Sequence, residues 1–224
     1  MSLIYRERPA EQDPAGLLIL HHGRGADEHD LLGLGNIIDP QRRLLVVTPR
    51  APLTVPGWPG NHWYMVPRVG YPDPDTFRRA YIELAAFHDE LWERTGIAPE
   101  RTVFGGFSMG SVMSYALGLA GERPAPAGIM AFSGFIPTVE GWQADLESRT
   151  QLPVFIAHGR QDRVIDVAFA RRAHELLVAA GLPVNYHESD AGHQIDPTHI
   201  PAATEWLAAA TGDLSKAPAD SRGR

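Results

Sequence analysis

Six short stretches of this sequence are apolar or β-branched, and most of them stop at glycine or proline: GLLILHHG (16–23), LLVVTPRAP (44–52), RTVFGGFS (101–108), AGIMAFSG (127–134), LPVFIAHG (152–159) and PVNYHES (183–189). A seventh, LIYRERP (3–9), precedes them. The strongest of these runs are continuous rather than alternating, which suits strands covered on both faces. Between them lie segments with helical spacing: DTFRRAYIELAAFHDELWERTG (75–96), SVMSYALGLAG (111–121), AFARRAHELLVAAG (168–181) and PAATEWLAAATG (201–212). Gly96, Gly121 and Gly181 stand where helices would be capped. Strands that alternate with helices predict a mostly parallel sheet with helices on both faces. Such sheets carry their chemistry at the carboxyl ends of the strands.

The size of the chain, 224 residues with 44% hydrophobic content, suits one domain, expected over 1–211. GDLSKAPADSRGR (212–224) is polar and aperiodic and is expected to be a disordered tail. There is no cysteine, which excludes disulfides, thiolate metal sites and cysteine nucleophiles. No apolar run reaches the roughly 18 residues of a membrane span. MSLIYRERPAEQD is charged where a signal peptide needs an apolar segment, so the expected compartment is the cytoplasm. With 20 basic and 27 acidic residues the net charge is −7, and there is no basic block. Nucleic acid and anionic membranes are poor partners for such a chain. A small molecule is expected instead, with the protein a monomer or homodimer.

Gly106-Phe107-Ser108-Met109-Gly110 is a G-x-S-x-G motif set between a predicted strand and a predicted helix. A sharp strand-to-helix turn lifts the serine hydroxyl above the sheet edge, and small residues two places either side allow the chain to fold back. The plainer alternative is a glycine-rich turn with Ser108 or Ser111 as an N-cap. A serine nucleophile needs a histidine base, and the base needs a carboxylate. Of ten histidines, His193 in SDAGHQID is the one both late in the chain and on a glycine-bearing loop after a strand. His187 falls inside that strand, and His158 reads as loop framing beside Gly159. Asp162 follows the strand ending at Gly159 and is the predicted acid. Asp166 reads better as the N-cap of the next helix, and Asp190 is too close to His193 to come from a separate strand end. The order Ser108, Asp162, His193 matches that of the α/β-hydrolase fold.

A second oxyanion donor should come from the loop after an early strand. LHHGRGAD (20–27) supplies the backbone N–H of Arg24, to act beside that of Met109. The GRG segment lacks the third glycine of a dinucleotide fingerprint and the Lys-Ser/Thr of a phosphate loop. Adjacent strand residues face opposite ways, so His21 and His22 do not form a metal pair. No metal or cofactor is expected. Residues 52–75 contain six prolines with Trp58, Trp63 and Tyr64. They form either the wall of an acyl pocket, and hence substrate-binding residues, or a stiff surface loop with structural aromatics.

Together LHHGRGADEHDL, GFSMGS, HGRQDRVIDVAFARRAHELLVAAG and AGHQID resemble the phospholipase/carboxylesterase family of α/β-hydrolases, over roughly residues 16–210. That group includes bacterial carboxylesterases and acyl-protein thioesterases. The resemblance implies a Ser108–Asp162–His193 triad, an oxyanion hole at Arg24 and Met109, and an acyl cleft lined near HWY (62–64). Two departures stand out: the family often has an apolar residue at the position of Arg24 and glutamine at that of Met109. About two dozen residues between the strands at 127 and 152 leave no room for a cap domain. The reading is a carboxylic ester hydrolase for short to medium acyl chains. A thioesterase or lysophospholipase could use the same triad. A non-catalytic binding protein would show a broken triad, and a nucleotide-binding domain would show the glycine patterns absent here.

Overall fold

A computed structural model describes residues 3–212. The strands are β1 (Tyr5–Arg8), β2 (Gly16–His21), β3 (Leu44–Pro49), β4 (Thr102–Phe107), β5 (Gly128–Phe132), β6 (Val154–Gly159) and β7 (Val184–Ser189). The helices are α1 (Leu32–Ile38), α2 (Pro74–Thr95), α3 (Met109–Gly118), α4 (Val167–Ala179) and α5 (Ile200–Gly212). All seven strands join one sheet in the order β1-β3-β2-β4-β5-β6-β7. Only β1 runs antiparallel to its neighbour. This is the α/β-hydrolase architecture, and no separate cap stands over the sheet among the described residues. The expected tail at 212–224 falls outside the described residues except for Gly212, which still belongs to α5.

Successive residues of each central strand serve opposite layers. Leu17, Ile19 and Phe104 pack with Leu84 and Leu91 of α2 and Val112 and Ala116 of α3. Ile129, Ala131 and Ile156 continue that face under Ala170 and Leu177 of α4. Leu18, Leu20, Val103, Met130 and Phe155 turn the other way, toward Leu34 of α1 and Trp206 and Leu207 of α5. The period-2 geometry of a strand explains why continuous apolar runs were needed: every position faces a helix layer.

The longest helix carries its own boundaries. Asp73 caps the start of α2 by accepting from the Thr76 amide at 3.0 Å, and Pro74 needs no acceptor there. Gly96, at φ 67°, closes its end, its N–H donating to Trp92 O. Two boundaries differ from expectation. Helix α3 starts at Met109, directly after Ser108, and ends at Gly118 with Leu119 as its cap, short of Gly121. Helix α1 has no counterpart in the sequence reading. Its Gly33 and Gly35 weaken helical propensity, and its N-cap residue makes no side-chain bond. The helix owes its place to packing: a Cβ on Gly35 would lie 2.7 Å from Val46 Cγ1, so glycine lets it lie flat on β3.

The loop after β2 is anchored by a buried carboxylate. Glu28 is 1% exposed and accepts from Arg50, with Nη2 at 2.7 Å and Nε alongside. The Thr48 hydroxyl donates to Glu28 O at 2.6 Å. The bonds from Arg50 hold the Glu28 carboxyl at about 2, below its usual 4.5. The folded-state value is depressed, so this stabilisation is complete above about pH 4.5 and is lost as pH falls toward 2. Replacing Glu28 with Gln should cost roughly 2 kcal/mol at neutral pH. Urea unfolding at pH 7, 4.5 and 3 should show the gap between wild type and variant shrinking toward the acid end.

Candidate active site

The turn between β4 and α3 is built by two close backbone approaches. A Cβ on Gly106 would lie 2.5 Å from the carbonyl carbon of Gly110, and one on Gly110 would lie 1.9 Å from His21 O. No side chain fits at either position. Between them Ser108 takes φ 55° and ψ −120°, a conformation costly for any non-glycine residue. Its N–H donates to Phe132 O at 2.9 Å, so the strained residue is tied to the neighbouring strand β5. Ser111, one of the N-cap candidates, shares its one hydroxyl hydrogen between Gly106 O (2.6 Å) and Phe132 O (2.8 Å) and braces the turn from beneath. Ser108 itself makes no capping bond. Its hydroxyl is directed elsewhere.

That hydroxyl lies 2.9 Å from His193 Nε2, and His193 Nδ1 lies 2.7 Å from Asp162 Oδ2. A carboxylate only accepts, so Nδ1 carries the hydrogen and Nε2 is free to accept from Ser108. The other carboxylate oxygen, Oδ1, accepts from the amides of Val164 (2.8 Å) and Ile165 (2.9 Å). Burial would raise the pKa of Asp162, but the bonds from His193 and these two amides outweigh it and hold the carboxyl below its usual value. Asp162 is therefore an anion at neutral pH. His193 keeps 19% of its side chain exposed, while the Asp162 side chain has none.

Two loops bring these groups together. Arg160 N–H donates to Ser189 O (2.7 Å) and Gln161 N–H to Ala191 O (3.0 Å), stitching the loop after β6 to the loop after β7. Gly159 is required at this seam, since a Cβ there would lie 2.2 Å from Ala191 O. His158 frames the same loop: its Nε2–H is shared between Ile165 O (2.8 Å) and Asp162 Oδ2 (3.2 Å). Burial lowers its basicity, so it donates without adding charge. Asp166 caps α4 through the Ala168 amide at 2.8 Å, and Asp190 pairs with Arg160, so neither competes for His193. The Phe107 ring, 4.9 Å from that of His193, adds an apolar neighbour with no sequence signal.

His21 and His22 diverge. His22 donates from Nδ1 to Gly23 O (2.7 Å) and accepts at Nε2 from the Ala51 amide (3.0 Å). His21 points beneath α3, where its Nδ1 meets Ser114 Oγ at 2.8 Å and its Nε2 meets His88 at 3.2 Å. Burial brings His21 down to about 3, so it is neutral.

The remaining predicted residues separate. Ser108, Met109, Arg24 and Tyr64 line one pocket of about 100 Å³, closed by Phe135 and Ile165. Trp63 does not line it. Trp63 is fully buried, its indole N–H donating to His22 O (2.9 Å) and its backbone N–H to Met109 Sδ (3.2 Å), so it supports the floor instead of forming a wall. Trp58 is half-exposed and borders an adjoining depression with Arg24. As the first residue of a helix, Met109 has no intrahelical acceptor for its amide. The Arg24 amide likewise meets no acceptor among the described residues. A larger groove of about 370 Å³ runs on from Phe135 past Trp142 and Phe169.

The phospholipase/carboxylesterase family model matches residues 7–211. The crystal structure of esterase PE8 is similar at 30% identity and a TM-score of 0.78, covering 92% of this chain and 98% of that one. The Bacillus cereus carboxylesterase superposes with a TM-score of 0.79 at 26% identity, covering 93% and 94%. Acyl-protein thioesterase 1 of Gibberella zeae is 26% identical over 221 residues, covering 89% of this chain and 92% of that protein.

The turn makes a direct stability prediction. Ala at position 110 would drive a methyl group into the His21 carbonyl, which is backbone and has no room to retreat. We expect Gly110→Ala to lose about 3 kcal/mol or more, read as a lower urea midpoint. The control Gly57→Ala, in open space at φ 80°, should lose only about 1 kcal/mol.

Proposed function

We propose that this chain, which belongs to the phospholipase/carboxylesterase family, is a serine hydrolase cleaving carboxylic esters of short to medium acyl chains through an acyl-enzyme. The observation that carries the reading is the continuous relay from Ser108 Oγ through His193 to Asp162. In this mechanism His193 Nε2 takes the Ser108 proton as Oγ attacks the ester carbonyl. Asp162 holds Nδ1–H in place and stabilises the imidazolium that forms. The negative charge on the former carbonyl oxygen is met by the amides of Met109 and Arg24 and by the positive end of α3. Protonated His193 then gives its proton to the departing alcohol. Water, activated by the same imidazole, attacks the acyl-enzyme and releases the acid.

The small pocket beside Ser108 supports the chain-length reading. Tyr64, Phe135 and Ile165 enclose a few carbons, and no separate cap stands over the sheet among the described residues. A second reading, a thioesterase for longer chains, draws on the groove beyond Phe135 and on the likeness to an acyl-protein thioesterase.

Replacing Ser108 with Ala should lower kcat by roughly 10⁴-fold or more, because the acyl-enzyme has no other site, while the urea midpoint stays near that of wild type. Retained turnover in that variant would remove the mechanism. A chelator should leave the rate unchanged. Each CH₂ buried adds about 0.8 kcal/mol, or roughly fourfold. Across nitrophenyl esters below their micelle concentrations, kcat/KM should therefore climb over the first carbons and then level. A steady rise out to palmitate would favour the second reading.

A further inference from the structure

The charge of the pocket that holds Ser108 is one-sided. Arg24 and Arg68 line it, and no carboxylate does. The chain has acids to spare at a net charge of −7. Some arginines elsewhere are paired with them: Arg8 with Asp39, Arg50 with Glu28, Arg123 with Asp89 and Arg171 with Glu188. Neither Arg24 nor Arg68 has such a partner among the described residues.

Both are held on aromatic faces instead. The Arg24 guanidinium lies 4.9 Å from the Trp58 ring centre, and that of Arg68 lies 3.7 Å from the Tyr71 ring centre. Stacking restrains a guanidinium through its plane and leaves its N–H fork free at the edge. The backbone beneath each is also fixed. Gly25 N–H donates to Asn61 O at 2.9 Å and Asn61 N–H to Ala26 O at 2.8 Å, which binds the Arg24 loop to the proline-rich segment. Arg68 opens a tight turn closed by the Tyr71 amide at 3.0 Å, with Gly70 at φ 88°. That turn is seated on α4, for a Cβ on Gly70 would lie 2.7 Å from the Phe169 ring. The same pocket has an apolar lining that includes Val66, Val69 and Pro72.

We propose, resting on the reading of Ser108 as nucleophile, that the substrate is an anionic ester. It would carry a carboxylate on a short apolar arm that reaches the forks of Arg24 and Arg68. Two charge-assisted contacts fix the arm, while the hydrocarbon lies against the valines. The preference is local, since the molecule as a whole is acidic, and it weakens with salt because both arginines are exposed.

The test compares kcat/KM within matched pairs. With the charge in the acyl group, the nitrophenyl monoester of adipic acid is set against nitrophenyl hexanoate. With the charge in the leaving group, the butyryl ester of 4-hydroxybenzoate is set against that of its methyl ester. At least one charged ester should exceed its neutral partner by about tenfold. That ratio should collapse toward one in Arg68→Gln and in the Arg24→Gln/Arg68→Gln double variant. The ratio is read within each variant, so a change common to both substrates cancels. A preference for the neutral ester in both pairs, or a ratio that Arg68→Gln leaves intact, overturns the proposal. If Ser108→Ala abolishes hydrolysis of the neutral esters while no anion preference exists, only the anionic substrate falls. If Ser108→Ala retains hydrolysis, the nucleophile and the anionic substrate fall together.

Discussion

The approach of Gly110 to the carbonyl of His21 is the contact on which the rest of the site depends. It brings the N-terminus of α3 against the end of β2, with 1.9 Å between that oxygen and the place a Cβ would occupy. The strand-to-helix turn must therefore be tight, and Ser108 is left at φ 55°. Strain of this kind costs about 1–3 kcal/mol and persists only where the surroundings over-determine it. Here Phe132 O, Ser111 and the buried thread of Ser114, His21 and His88 supply that restraint. The same approach puts the first amide of α3 on the same edge of the sheet as the loop carrying Arg24.

The parallel sheet then sets which loops can meet. β4 pairs with β5, β5 with β6 and β6 with β7, so the loops after β4, β6 and β7 open on one edge. Asp162 and His193 lie 31 positions apart in the chain, yet their loops are stitched by backbone bonds at Arg160 and Gln161. The histidine is consequently oriented by a carboxylate whose own second oxygen is fixed by two amides. A fixed carboxylate, an imidazole of defined tautomer and a strained hydroxyl are what the proposed acyl-transfer chemistry requires.

The parts legible in the sequence were those with local or order-based signals. Apolar runs ending in glycine marked the strands, Asp73 and Gly96 carried cap chemistry for α2, and the chain order of Ser108, Asp162 and His193 suited the fold. The misses have a shared cause. Helix α1 depends on a Gly35–Val46 contact, and the bracing role of Ser111 depends on Phe132, far along the chain. Trp63 looked equivalent to Tyr64 because adjacent aromatics in a loop have no periodicity to separate them. In the fold one is buried as support under Met109 and the other faces the pocket. The helix start at Met109 rather than Ser111 follows from the turn itself, which puts Ser108 at the N-cap position with its hydroxyl turned away to His193.

The proposed chemistry rests on acylation of Ser108. Its most direct measurement is stoichiometric labelling with a fluorophosphonate, followed by peptide mapping of the modified chain. One label per chain is expected, carried by the peptide containing Ser108, with labelling lost in Asp162→Ala and His193→Ala as the serine loses its base. A label on another residue, or full esterase turnover by protein that leaves Ser108 unmodified at saturating reagent, would contradict it.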